Sequence, residues 1–162
     1  MTTTKAWVLP AIVAALAAML VAAIGATLTD LGPWYQSLKQ PDWNPPDEVF
    51  PIAWTTIFAL AAIAAVETWR KIERRSTAEW MVGLFALNGF LNVFWSLLFF
   101  RLQRPDWALV GVGALWLSVL VLVVYCGRHS RPAGLLLLPY LAWVSIAAAL
   151  NIAVVDLNAS FS

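Results

Sequence analysis

The stretch WALVGVGALWLSVLVLVVYCG, residues 107–127, contains no Asp, Glu, Lys or Arg. A helix rises about 1.5 Å per residue, so about 20 residues of this kind cross the ~30 Å hydrocarbon layer of a bilayer. Four further uncharged runs, 7–28, 49–66, 80–100 and 132–155, reach or approach the same length. The remaining residues are too few and too apolar to coat five such helices with a water-soluble surface. Of the 162 residues, 62% are hydrophobic and 12% are charged, about half the charged share of an ordinary soluble domain. The alternating pattern of a membrane barrel is absent, and an open sheet in lipid would leave backbone groups unpaired. The fold class expected is therefore all-α. It is an integral membrane bundle of five transmembrane helices in a single domain, 1–162, with helices over approximately 7–28, 49–69, 80–100, 107–127 and 132–155.

The first run follows Lys5 and ends in small residues, as an export signal does, but a signal's apolar core spans only about 7–15 residues. It reads as a retained helix, with Pro10 in a first turn where its missing amide hydrogen costs nothing. Connections are short except one, residues 30–48, which carries Pro33, Pro41, Pro45 and Pro46 together with Trp34, Tyr35 and Trp43. Prolines fix backbone angles and aromatics favour burial, so this segment is expected to fold back over the helix ends as a lid. The other reading keeps it at headgroup depth with its rings as interfacial anchors. Lys5, Arg70, Lys71, Arg74, Arg75, Arg128 and Arg131 fall on the amino-terminal side, against Lys39, Arg101 and Arg104 on the other. That asymmetry places the amino terminus in the cytoplasm of a bacterial-type cell membrane and the lid on the far side.

Asn88, Asn92, Trp95 and Phe99 are spaced by 4, 3 and 4 and share one helical face, which an amide turns away from lipid. Trp54, Phe58 and Ala61 repeat the spacing in the second helix, and Trp143, Ala147 and Asn151 in the fifth. Large rings beside small residues and a few amides describe an apolar pocket with directional fixtures. They equally describe asparagines bonding between packed helices. Arg101 and Arg104 read as interface anchors, and Glu67 and Glu79 as headgroup-level residues. Cys126 reads as a small apolar filler and His129 as a solvated turn residue. With one cysteine and one histidine there is no basis for a disulfide or a zinc site. No phosphate loop, dinucleotide fingerprint or hydrolytic triad is present, and a net charge of +1 argues against a nucleic-acid partner.

Three segments carry a resemblance. WYQSLKQPDWNPPDEVFPIAWTTIF, residues 34–58, is similar to the first loop and second helix of the TspO/MBR family, the tryptophan-rich sensory or translocator proteins. LNVFWSLLFF, residues 91–100, followed by Pro105, Trp107, Ala108 and Leu109, resembles its third helix and the start of its fourth, and PYLAWVSIAAALN, residues 139–151, its fifth. The resemblance implies five helices, often a homodimer, and a pocket beneath the first loop that accepts porphyrins and synthetic aromatic ligands. Carried onto this chain, the ligand-binding positions are Tyr35, Pro45, Trp54, Phe58, Asn92, Trp95, Trp143 and Ala147.

What the family resemblance implies about function is tetrapyrrole binding, of protoporphyrin IX or haem, in transport or regulation. In some bacteria it extends to light-dependent oxidative breakdown of protoporphyrin, for which Trp54 and Trp143 are the candidate photochemical residues. No cofactor is required beyond the ligand, and no metal is expected. A non-catalytic sensor or carrier, and a ligand-free structural membrane protein, are the alternatives. The chain departs from the vertebrate pattern after the fifth helix, where Ile152 to Asp156 replace a sterol-linked Tyr and Arg, so cholesterol is not an expected partner. It also has the acidic pair Asp47 and Glu48 after Pro46, which weighs against anionic ligands at the lid. A macrocycle is expected between Trp54 and Trp143, its propionates near Lys39, the cation on the lid.

Overall fold

A computed structural model describes residues 6–158. Lys5 and the last four residues lie outside that range. Six helices run in chain order: α1 (Val8–Leu28), α2 (Pro33–Ser37), α3 (Val49–Lys71), α4 (Arg75–Ser96), α5 (Pro105–His129) and α6 (Arg131–Leu157). Among the described residues there is no strand. Five helices, all but α2, are long and apolar enough to cross a membrane, with α4 continuing to Arg101 through a wide π turn over Leu97–Arg101. Packing closes them into a ring in the order α1, α3, α6, α5, α4 and back to α1.

The helices outrun the uncharged stretches at the end that carries the basic residues. α4 begins at Arg75 rather than near residue 80, and α3 continues to Lys71, so the connection between them shrinks to residues 72–74. Absence of charge marks where a helix meets hydrocarbon, not where it stops. Arg70 pairs with Glu67 at 3.3 Å and Arg75 with Glu79 at 2.9 Å, one helical turn apart, and these exposed pairs let the polar turns stay helical at headgroup depth.

The ring is not uniformly tight. α5 and α6 pack most intimately, joined through Ser130 alone. A Cβ built on Gly134 would stand 2.7 Å from the Gly127 Cα, so the two backbones meet where only hydrogen fits. Gly111 of α5 packs less tightly, a Cβ there standing 3.3 Å from the end of the Leu98 side chain and 3.6 Å from the Trp95 Cα. α1 is the opposite case. None of its residues is buried, and its exposed Leu, Ile and Val side chains face where acyl chains belong.

Lipid tails are as apolar as leucine, so register between membrane helices rests on close packing and directional bonds. Here the bonds form a chain through the bundle. The Tyr140 hydroxyl on α6 donates to Asn88 Oδ1 at 2.9 Å and accepts from Asn92 Nδ2 at 3.1 Å. Asn88 Nδ2 donates to Ser118 Oγ on α5, and that hydroxyl donates to the Leu115 carbonyl. Nearer the lid, Trp95 Nε1 donates to Asn151 Oδ1 at 3.1 Å, while Asn151 Nδ2 reaches the Pro105 carbonyl at 2.8 Å. Tyr140 follows Pro139, whose ring forfeits one backbone bond inside α6.

Two outcomes follow. Gly134→Val forces α5 and α6 apart and lowers stability by about 1–3 kcal/mol, read as thermal unfolding in detergent; an unchanged midpoint contradicts the close approach. Tyr140→Phe leaves two buried amides short of a partner and costs about 1–2 kcal/mol, and a neutral result means that the network does not set the register.

Candidate functional site

The lid is built as its sequence suggests, in two parts. Pro33 opens α2 at a first-turn position, and the short helix turns Tyr35 and the following Leu38 into the bundle, 7% and 9% exposed. Trp34 meets Phe99 edge-on at 6.2 Å, and Tyr35 lies 5.8 Å from Phe100. Those neighbouring phenylalanines both face the lid because they sit in the π turn, where Leu102 N–H reaches back to the Leu97 carbonyl at 2.9 Å. Trp43 instead points outward and is 53% exposed, whereas Trp34 and Tyr35 pack inward as part of the lid. Pro45 is half-buried.

The far end of the lid is tied down. The Asn158 side chain accepts the Lys39 N–H and donates to the Lys39 carbonyl, both at 2.9 Å, and also donates to the Val154 carbonyl. Lys39 thereby has its backbone clasped to the end of α6 with its side chain exposed. Burial pushes the Tyr35 phenol pKa up, the Asp47 carboxylate adds to that, and the Asn44 amide opposes it. The phenol is neutral across the physiological range, and no charge is introduced under the lid from this position.

Beneath it the three helical stripes converge on one aromatic cluster. Trp54 stacks on Phe58 at 5.5 Å and meets Trp95 at 6.3 Å, Tyr140 at 6.2 Å and Trp143 at 6.4 Å. Phe50 closes on Trp143 edge-on at 5.6 Å. Trp95 and Ala147 are buried, whereas Trp54, Phe58 and Trp143 are half-buried. The Trp54 and Trp143 planes cross at 89°, in edge-to-face contact. A flat macrocycle therefore does not lie between them in this conformation, contrary to the expectation above, because a stacked sandwich needs parallel walls a ring's thickness from each face. The asparagines also divide differently. Asn88, Asn92 and Asn151 all bond across helices, so the donor of Asn92 is committed to Tyr140 rather than presented to the cluster.

One polar atom here is left over. Trp143 Nε1 is buried with no hydrogen-bond partner among the described residues, a donor that ordinarily finds one. Tyr140, Phe50, Phe99 and Phe100 also belong to the cluster and its roof. Tyr140 was not among the residues expected at the site, although its spacing of 3, 4 and 4 with Trp143, Ala147 and Asn151 could have found it; the contributions of Phe50 and the π turn carry no periodic signal. Arg104 lies apart, pairing with Asp106 at 2.8 Å through Nε and covering the Trp107 ring at 4.3 Å, as an interface anchor does. His129 is the last residue of α5 rather than a turn residue, its Nδ1 2.9 Å from the Tyr125 carbonyl and its ring against Tyr125. Cys126 is buried, as a filler would be. No group of three or more potential metal ligands occurs among the described residues.

The geometry can be set beside known proteins. Residues 7–156 match the model of the TspO/MBR family. The tryptophan-rich protein TspO of Chlorobaculum tepidum is 38% identical over 125 residues, covering 77% of this chain and 79% of the relative. The protein of the same name from Archaeoglobus fulgidus is 40% identical over 129 residues, covering 78% and 80%. The translocator protein of Bos taurus is 33% identical over 119 residues, covering 73% and 70%. The family model spans the lid, the three inward stripes and the five membrane helices, and the chain is an integral membrane protein that belongs to the TspO/MBR family.

Proposed function

We propose that the aromatic cluster beneath the lid binds a tetrapyrrole, protoporphyrin IX or haem, and that the protein carries or senses it. The observation that supports this most is the convergence of Trp54, Phe58, Trp95, Tyr140 and Trp143 on one spot with the Trp143 indole N–H buried and unpartnered. A macrocycle offers a large π face, and indoles supply stacking area at little rotameric cost. Entry turns Trp143 out of its edge-to-face contact, opens a slot against Trp54 and brings the free N–H to an acceptor on the ligand. The propionates stay at the lid, because an unpaired buried carboxylate is costly. Lys39 is the cation there, with Asp47 and Glu48 opposing it.

The same reading includes light-dependent oxidative breakdown of protoporphyrin with dissolved dioxygen as the oxidant, and Trp54 and Trp143, against the excited ring, are its candidate photochemical residues. It places the amino terminus in the cytoplasm of a bacterial cell membrane. It also allows a homodimer: Gly83 on α4 is exposed with open space around it, Ala86 borders the space between α1, α3 and α4, and Gly111 is taken up within the chain.

Titrating the detergent-solubilised protein with protoporphyrin IX in darkness gives saturable tryptophan quenching at micromolar ligand; its absence defeats the proposal. Trp143→Phe removes the donor and part of the stacking surface and weakens binding by about ten-fold, an effect of about 1–2 kcal/mol. Under illumination, the Trp54→Phe/Trp143→Phe double variant stops porphyrin loss if breakdown is the activity, while a carrier returns the ligand unchanged with or without the substitutions. Asn158→Ala releases the lid and raises the ligand's dissociation rate by about five-fold, in line with the loss of about 1 kcal/mol of hydrogen bonding, and an unaltered rate means that the lid does not retain the ligand.

A further inference from the structure

The end of α4 is wound one residue wider than an ordinary helix end. The Leu102 N–H bonds to the Leu97 carbonyl and the Arg104 N–H to the Leu98 carbonyl, both at 2.9 Å. Each bond reaches one residue further back than its counterpart in an α-helix closed by a left-handed residue. The chain is turned back by Gln103, whose φ of 54° is the one positive value among the described residues. Arg104 cannot take over that turn, because Pro105 after it confines its backbone to extended conformations, and the Pro105 carbonyl is itself held by Asn151 Nδ2 at 2.8 Å. The reversal therefore falls on Gln103, whose Cβ is crowded in the left-handed region.

The extra residue decides where Phe100 points. In an α-helix the residue five positions beyond Trp95 lies about 140° around the axis from it. Across the π turn it returns to the same side, and Trp95 meets both Phe99 at 6.0 Å and Phe100 at 6.2 Å. Phe100 in turn meets Tyr35 at 5.8 Å, while Phe99 meets Trp34 at 6.2 Å. Wound as α, the same segment would keep Phe99 over Trp95 and carry Phe100 away from the lid.

From this geometry we infer that Gln103 is a positioning residue for the lid: its left-handed backbone keeps the π turn wound, and through Phe100 on Tyr35 it sets how often the lid opens over the aromatic cluster. The Gln103 side chain is exposed, so a substitution there acts through the backbone. The consequence for a bound porphyrin rests on the function proposed above, and the consequence for the lid does not.

Leu38, 9% exposed beneath the closed lid, supplies a reporter. In the full chain carrying Leu38→Cys and Cys126→Ala, the rate of maleimide labelling in detergent reads lid opening with no ligand present. Gln103→Val and Gln103→Thr, whose branched side chains fit the left-handed region poorly, each raise that rate about ten-fold, whereas Gln103→Gly and Gln103→Asn keep it unchanged. Phe100→Leu gives a similar rise of about ten-fold, and adding it to Gln103→Val gives no further rise, because both act through one contact. These rates are read well below each variant's thermal unfolding midpoint. Unchanged labelling in a folded branched variant, an equal rise in Gln103→Gly, or additive effects of Gln103→Val and Phe100→Leu overturns the assignment. Protoporphyrin IX leaves the Gln103→Val protein about ten-fold faster than the parent. A chain that shows the labelling pattern but binds no protoporphyrin defeats the proposed function and upholds the role of Gln103, and a chain that binds it with labelling unaltered by Gln103→Val does the reverse.

Discussion

Directional bonds inside a dry bundle are the constraint on which the rest of this molecule depends. Between membrane helices the hydrophobic effect does not choose a register, because lipid and leucine are equivalent surroundings. The Tyr140 hydroxyl, shared between Asn88 and Asn92, and the Asn151 amide, shared between Trp95 and Pro105, supply that choice. Each links at least two helices or their ends, and each fixes an aromatic ring as well. The polar network and the aromatic cluster are two aspects of one arrangement: the amides hold Trp95 and Tyr140, Trp54 packs against both, and Trp143 packs against Trp54.

This explains why the half of the bundle nearest the lid differs from the other. At the lid end rings crowd together, roofed by Trp34 and Tyr35 on the π turn and latched by Asn158. At the basic end α1 leans on alanines and leaves a volume of about 530 Å³ unfilled. Phe58 and Tyr140 separate the two regions.

Fold class was legible because the bilayer imposes length and the absence of charge, and both are visible residue by residue. The inward stripes were legible for a related reason: an asparagine at helical spacing from a tryptophan has only one inexpensive direction to face. What the sequence did not disclose was how the stripes meet. Spacing puts Trp54 and Trp143 on inward faces but is silent on ring orientation, so the perpendicular contact replaced the expected sandwich. It left the asparagines divided between pocket and packing, and the structure gives their bonds to packing. The π turn was also hidden, since one slipped hydrogen bond leaves no compositional trace, yet it aims Phe99 and Phe100 at the lid. Helix ends at the basic side were misjudged for the opposite reason, because charges paired one turn apart hide a helix from a search for uncharged runs.

The central claim is that the lid covers a tetrapyrrole site whose walls are Trp54 and Trp143. A structure of the protein saturated with protoporphyrin IX tests this most directly. The account predicts the macrocycle beneath Tyr35, stacked on Trp54, with the Trp143 indole turned from its present perpendicular contact and its N–H engaged. A bound porphyrin elsewhere, with the Trp54–Trp143 edge-to-face pair undisturbed at 6.4 Å, contradicts it.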